Sequence, residues 1–179
     1  MKEVYLNFAR ANEEADKTIL SILDTMSHED REKNRKSYYK SLSGLALHTL
    51  GGATYFLSLF RDSVANNAKA LKALDSAAKA KMPPEGKKLS EEDWETVKAN
   101  FKLVDKAYID FVTALNDEDF SAPVKINWYK GKPAEVPLSF MLQQLISHGI
   151  HHRGQLSQIL DSLKIDNDYS SINVKFLPK

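Results

Sequence analysis

The chain has 179 residues, enough for one compact domain with its own core and too few for two large ones. Its 25 Lys and Arg stand against 24 Asp and Glu, a net charge of +1, so no global field favours nucleic acid or an acidic membrane. There is no cysteine, which excludes disulfides, cysteine nucleophiles, iron–sulfur clusters and thiolate zinc sites, and leaves nitrogen and oxygen as the only metal donors.

The first residues, 1–10, lack a basic stretch followed by an apolar core, so they do not read as a secretory signal and the cytoplasm is the expected compartment. Over residues 4–26, Phe8, Ala11, Ala15, Ile19, Ile22, Leu23 and Met26 recur at helical spacing, with Glu13, Glu14, Asp16 and Lys17 between them, and predict a first helix. A charged connection, residues 27–40, leads into a second helix expected over residues 38–67. Inside it, residues 41–60 are a run of 20 without Asp, Glu, Lys or Arg, long enough to cross a bilayer. Gly44, Gly51, Gly52, His48 and several Ser and Thr make that run too polar for insertion, and it reads as a buried bundle helix.

A Lys- and Ala-rich continuation ends at Pro83-Pro84-Glu85-Gly86, which cannot stay helical and forms a linker. Ser90 with Asp93 resembles a capping box, and Trp94, Val97, Phe101, Val104, Tyr108, Phe111 and Leu115 then mark a third helix. Residues 116–136 form a long connection in which the stretch from Val124 to Gly131 suits a short hairpin, with Trp128 and Tyr129 as candidates to line a pocket entrance. Pro137 suits the first position of a fourth helix reaching Leu163, and residues 166–179 read as an extended tail. The sum is an all-α four-helix bundle with long connections and a short C-terminal tail, one domain over 1–179.

Helical phase sorts the histidines. His148 and His152 are one turn apart on the stripe of Met141, Leu145, Leu156, Ile159 and Leu163, whereas His151 falls with Gln144, Ser147, Gln155 and Gln158 on a polar face. His48 shares a stripe with Leu45, Gly52, Tyr55 and Leu59. A buried imidazole without partners costs roughly 1–3 kcal/mol. Three inward imidazoles are satisfied together by a divalent metal, and three nitrogens leave a coordination position open for water or substrate. A core histidine with a hydrogen bond is the alternative for each of them alone. The zincin pattern H-E-x-x-H is absent, because Gly149 stands where the glutamate would be.

The string His148-Gly-Ile-His-His152-Arg153-Gly154-Gln155 resembles the signature of the DinB/YfiT-like family of metalloenzymes. Residues 37–53, where a polar segment leads to the single His48, resemble that family's second helix. The resemblance implies an up-down-down-up bundle with a divalent metal, zinc or nickel, on three histidines, which carry over onto His48, His148 and His152. It also implies a low-molecular-weight thiol as co-substrate, as in thiol transferases and isomerases of the family, and a homodimer. The expected function is therefore a metal-dependent enzyme in which the metal activates a thiol or water for attack on a small electrophile, with no nucleic-acid or membrane partner.

No Asp or Glu shares the His stripes as a general base, so the metal must do most of the activation. Arg153 is read as the partner of a structural carboxylate, Gly154 as a packing residue and Tyr55 as core, with ligand contact as the alternative for Arg153 and Tyr55. The competing functions are a non-catalytic metal- or ligand-binding bundle of stress response and a bis-histidine haem protein.

Overall fold

The computed structural model describes residues 1–127, 131–168 and 175. Helix α1 spans Lys2–Asp24 and is followed by a short α2, His28–Glu32, whose N-cap Ser27 accepts from the Asp30 N–H. The charge-free run forms α3 over Leu42–Leu59 only, a correction to the longer helix expected over residues 38–67. Lys40 has φ +65, a conformation no α-helix propagates, and the Ser41 side chain caps α3 by accepting from the Gly44 N–H. At the other end a 3-10 turn, Asp62–Val64, breaks the helix, and Asn67 caps a separate α4, Ala68–Ala77.

The capping box forms as read: Ser90 and Asp93 satisfy each other's backbone at the start of α5, Glu91–Ala114. The long connection does contain a hairpin, with β1 (Pro123–Ile126) antiparallel to β2 (Ala134–Pro137) and Val124 opposite Val136. Pro137 closes β2 and caps α6, Leu138–Ser162, from an extended ψ of 146°, so it sits one residue before the helix rather than inside it. Trp128, Tyr129 and most of the expected tail lie outside the described residues.

Side-chain bonds give the helix directions. Trp94 Nε1 at the start of α5 donates to Asp24 at the end of α1 (2.8 Å), and Lys2 donates to the Leu115 carbonyl beyond the end of α5 (3.0 Å), so these two run antiparallel. Tyr5 donates to the Ser139 carbonyl (2.9 Å) and Arg153 reaches Asn12 and Asp16, so α6 runs with α1. His48 meets His152 while Gly52 meets His148, so α3 runs against α6. The order α1, α3, α5, α6 is thus up-down-down-up, and the crossing from α3 to α5 carries α4 and the linker.

The core between these helices is built on Trp94, Tyr108, Phe60, Phe111 and Phe120, all fully buried. Burying a side chain of that size stabilises by about 1.5–3 kcal/mol. Two sequence readings fail at the helix faces: Phe8 and Leu163 are exposed, and Asp16, read among the polar residues of α1, is buried. Among the described residues no helix is long and apolar enough to cross a membrane.

Two anchors fix the segments that flank the histidines. Arg31 on α2 pairs with Glu91, donates to the Met26 carbonyl and lies over the Trp94 ring. Its neighbour Glu32 accepts from the Leu89 N–H at the end of the linker (3.1 Å). The turn after α2 and the 83–88 linker are thereby held on either side of the N-terminal half of α3.

Candidate metal centre

The antiparallel contact of α3 with α6 brings His48, His148 and His152 together. One ring nitrogen from each lies within 4.8 Å of the others, and the ring centroids are 4.3, 4.6 and 5.3 Å apart. His152 is buried at 5% exposure, whereas His48 and His148 are half-buried. His151 faces solvent, as its phase requires, though its ring borders that of His152.

Gly52 makes this convergence sterically possible. A Cβ at position 52 would stand 2.1 Å from His148 Cε1, far inside van der Waals contact, so only glycine lets the His148 ring lie against α3. Phe56, one turn on, meets the same ring edge-on at 5.6 Å.

The surroundings keep the rings neutral. Burial and then the other three imidazoles push His148 down to about 4. His48 is lowered by burial and by His152, with Glu85 opposing; His152 is lowered by burial and by His151, with its Gln155 bond opposing. At neutral pH the site presents three uncharged imidazoles, the form that binds a metal.

Each ring was expected to need an outer partner, and two have one. His152 Nδ1 donates to Gln155 Oε1 at 2.8 Å, which leaves the Nε2 lone pair free. His48 Nε2 is 2.8 Å from the Tyr39 hydroxyl, and its Nδ1 is 3.9 Å from Glu85 Oε1. Among the described residues no hydrogen bond reaches the His148 ring. Tyr39 and Glu85 were not legible as site residues, since both lie in connections with no helical phase. Gln155 stood in the family string but was read with His151 on the polar face, so its bond to His152 was missed as well.

A donor set of three neutral imidazoles, with no carboxylate among them, suits a borderline divalent ion such as Zn²⁺ or Ni²⁺, and the group could hold such an ion. It does not suit haem, because rings in mutual contact at 4.3–5.3 Å leave no slot for a porphyrin plane between two axial ligands. A groove of about 540 Å³ opens beside His48, lined by Tyr39, Lys40, Glu85, Lys87 and Lys88.

Arg153 turns away from the histidines. It donates to Asn12 Oδ1 (2.7 Å) and Asp16 Oδ1 (2.8 Å), and Asn12 in turn donates to Asp16 (2.8 Å) and to Asp105 on α5 (3.2 Å). The carboxylate partner read for Arg153 is thus Asp16. Burial outweighs Arg153 in raising Asp16, and burial followed by the Asp16 charge pushes Asp105 well above the usual carboxylate range. Both carboxyls are thus raised, Asp105 further than Asp16, so Asp105 is the more readily protonated of the two. Asp105 was findable: it lies between Phe101 and Tyr108 on the core stripe of α5. Two readings are corrected. Tyr55 is 46% exposed and belongs neither to core nor to site, and Gly154 has open space around it and packs against nothing.

Residues 1–163, which contain the six α-helices of the described residues together with His48, His148 and His152, match the model of the DinB family. No curated protein matches the chain.

Proposed function

Since the chain belongs to the DinB family, we propose that it is a divalent-metal-dependent enzyme whose metal is held by His48, His148 and His152. Three neutral imidazole nitrogens within 4.8 Å of one another are the observation that carries this reading. Zinc or nickel is the metal, and the substrate side takes a low-molecular-weight thiol or water that attacks a small electrophile. A divalent cation in such a site supplies Lewis acidity, which favours a deprotonated thiol or water and polarises a carbonyl.

The chain's own residues do the rest. Gln155 fixes the His152 tautomer so that Nε2 faces the centre, Gly52 admits His148, and burial keeps protons off the rings. The groove beside His48 gives a small molecule its approach. The whole chain acts as one cytoplasmic domain, as a homodimer, without nucleic acid or membrane.

A second reading, a non-catalytic metal- or ligand-binding bundle, is favoured by one feature: among the described residues the buried carboxylates are already engaged, Asp16 and Asp105 in the Arg153 cluster and Glu32 with the Leu89 N–H, and the carboxylate beside His48 is the exposed Glu85. Elemental analysis of untagged protein beside His48→Ala tests the metal site. About one equivalent in the wild type and little in the variant is expected; none in either, even after reconstitution, refutes the site. Thiol transfer to electrophiles by the loaded protein, lost in His148→Ala, separates enzyme from binding module.

A further inference from the structure

Tyr39 is held more firmly than a residue of a surface connection requires. Lys40, next in the chain, adopts φ +65, which costs a non-glycine residue about 1 kcal/mol or more. The strained turn is closed on itself: the Arg35 N–H donates to the Lys40 carbonyl at 2.6 Å, and the Lys40 N–H donates to the Ser37 carbonyl at 3.0 Å. The Tyr39 carbonyl accepts from the Ser41 N–H and lies where a Cβ on residue 44 would be only 2.5 Å away, so Gly44 alone lets the turn sit down on α3.

All of this presses one side chain onto the histidines. The Tyr39 ring stacks on His48 at 4.0 Å and 23°, meets His152 edge-on at 5.4 Å, and brings its hydroxyl to His48 Nε2 at 2.8 Å. Tyr38 beside it is 90% exposed, so the turn selects Tyr39 specifically. His48 Nδ1 lies 3.9 Å from the exposed Glu85 and Nε2 lies 2.8 Å from the Tyr39 hydroxyl, and Nε2 is taken as the ligand atom.

Resting on the metal site proposed above, we propose that the Tyr39 hydroxyl contacts the molecule bound there, donating a hydrogen bond to its anionic atom. A cation held by Nε2 would sit about 2.0–2.1 Å from it and would occupy the lone pair that Nε2 offers the Tyr39 hydroxyl in the Nδ1-protonated tautomer. The hydroxyl, 2.8 Å from that nitrogen, then lies no more than about 4.9 Å from the cation, whatever the angle. A phenol that has lost its acceptor beside a cation donates to the anion that the cation attracts. The ligand class is a small anion or a molecule with an anionic head, and the groove that ends at Tyr39 carries three cations, Lys40, Lys87 and Lys88, against the carboxylates Glu32, which is held by the Leu89 N–H, and Glu85.

The test uses the full chain loaded with Co²⁺, with azide as the probe, followed by visible absorption. Tyr39→Phe keeps the stacked ring and removes the hydroxyl. The expected result is Co²⁺ uptake by the variant with azide affinity weakened about tenfold, the worth of one charge-assisted hydrogen bond. Gly44→Ala, which displaces the Tyr39 carbonyl but keeps the hydroxyl, is expected to weaken azide in the same direction. Unchanged azide affinity in the loaded Tyr39→Phe protein, with or without a loss of Co²⁺ affinity, overturns the proposal and makes Tyr39 only a support for His48. A wild type that takes up no Co²⁺ overturns the metal site itself, and this inference with it, before azide is added.

Discussion

His152 and Arg153 are adjacent on α6, yet they enter two polar groups that meet the apolar bundle in opposite ways. Arg153 joins Asn12, Asp16 and Asp105 in a cluster whose charges and hydrogen bonds are matched within the protein. His152 joins His48 and His148 in a group that brings one ring nitrogen of each within 4.8 Å of the others, with Gln155 and Tyr39 bonded to two of the rings and, among the described residues, no hydrogen bond on the third. The two are neighbours: Asn12, Asp16, Asp105 and His148 line one small internal cavity. A satisfied buried network rigidifies, whereas a set of aligned but unmatched donors is costly to keep unless it binds. The first group holds α1, α5 and α6 in register, and that register is what presents the second.

The sharpest way to break this division is to remove the cation of the matched group. Arg153→Met leaves Asp16 buried without its partner and is expected to cost about 3–5 kcal/mol in urea unfolding at neutral pH. With no cation nearby the folded-state pKa of Asp16 rises further. A carboxyl with a raised folded pKa gives its full stability below the unfolded value and loses it as pH rises, so the gap to wild type must narrow toward acid. A gap that does not change with pH would show that the loss comes from packing rather than charge.

The unmatched group makes the converse prediction. Removing a histidine should cost the metal-free protein little, while metal at a hundred times its dissociation constant should stabilise the wild type by about 2.7 kcal/mol. His148→Ala and Gly52→Ala should both abolish that gain, the latter because the new methyl occupies the place of the His148 ring. Thermal melts with and without Zn²⁺ decide it; a Gly52→Ala protein that keeps the full metal-induced shift refutes the steric account.

A smaller effect follows from acid. His148 is lowered to about 4 in the fold, against about 6.5 unfolded, so its contribution to stability is present above the unfolded value and is lost as pH falls through that window. His148 is half-buried, and after allowance for solvent screening the loss is on the order of 1–2 kcal/mol. Metal-free wild type should therefore weaken between about pH 6.5 and pH 4 more than His148→Gln does. Equal acid sensitivity in both would remove His148 as the cause.

The same comparison explains what the sequence disclosed. His48, His148 and His152 were legible because each lies on a long helix, where phase fixes direction; Asp105, on its stripe between Phe101 and Tyr108, carried the same signal and was missed. Asp16 shares the stripe of Ile19 and Leu23 but was read with Glu13, Glu14 and Lys17 as a polar position; Asn12 and Arg153, the latter 137 residues away, hold it inward. Tyr39, Lys40 and Glu85 lie in connections whose course depends on a positive φ, a close carbonyl and a linker end, none of which has a period. The second long helix was overextended for the same reason: it starts at the local Ser41 cap and ends at Phe60 before the 3-10 turn Asp62–Val64, and neither limit is a break in hydrophobicity.

The finest test bears on which member of the matched group carries the proton. Burial and the Asp16 charge raise Asp105 further than burial raises Asp16, which makes Asp105 the expected site of the proton. Such a group supports the fold fully below its unfolded pKa, about 3.9, and withdraws that support as pH climbs toward the raised folded value. Asparagine has the same shape, accepts the Asn12 amide through its carbonyl as Asp105 does at 3.2 Å, and offers Asp16 a donor that never ionises. Asp105→Asn should thus match the wild type near pH 4 and equal or exceed its stability at pH 7–8, with less dependence on pH between. Asp16→Asn, which takes the anion from Arg153, should destabilise across that range. If Asp105→Asn instead lost more than about 1 kcal/mol at pH 8, Asp105 would be the charged partner, and the proton would reside on Asp16.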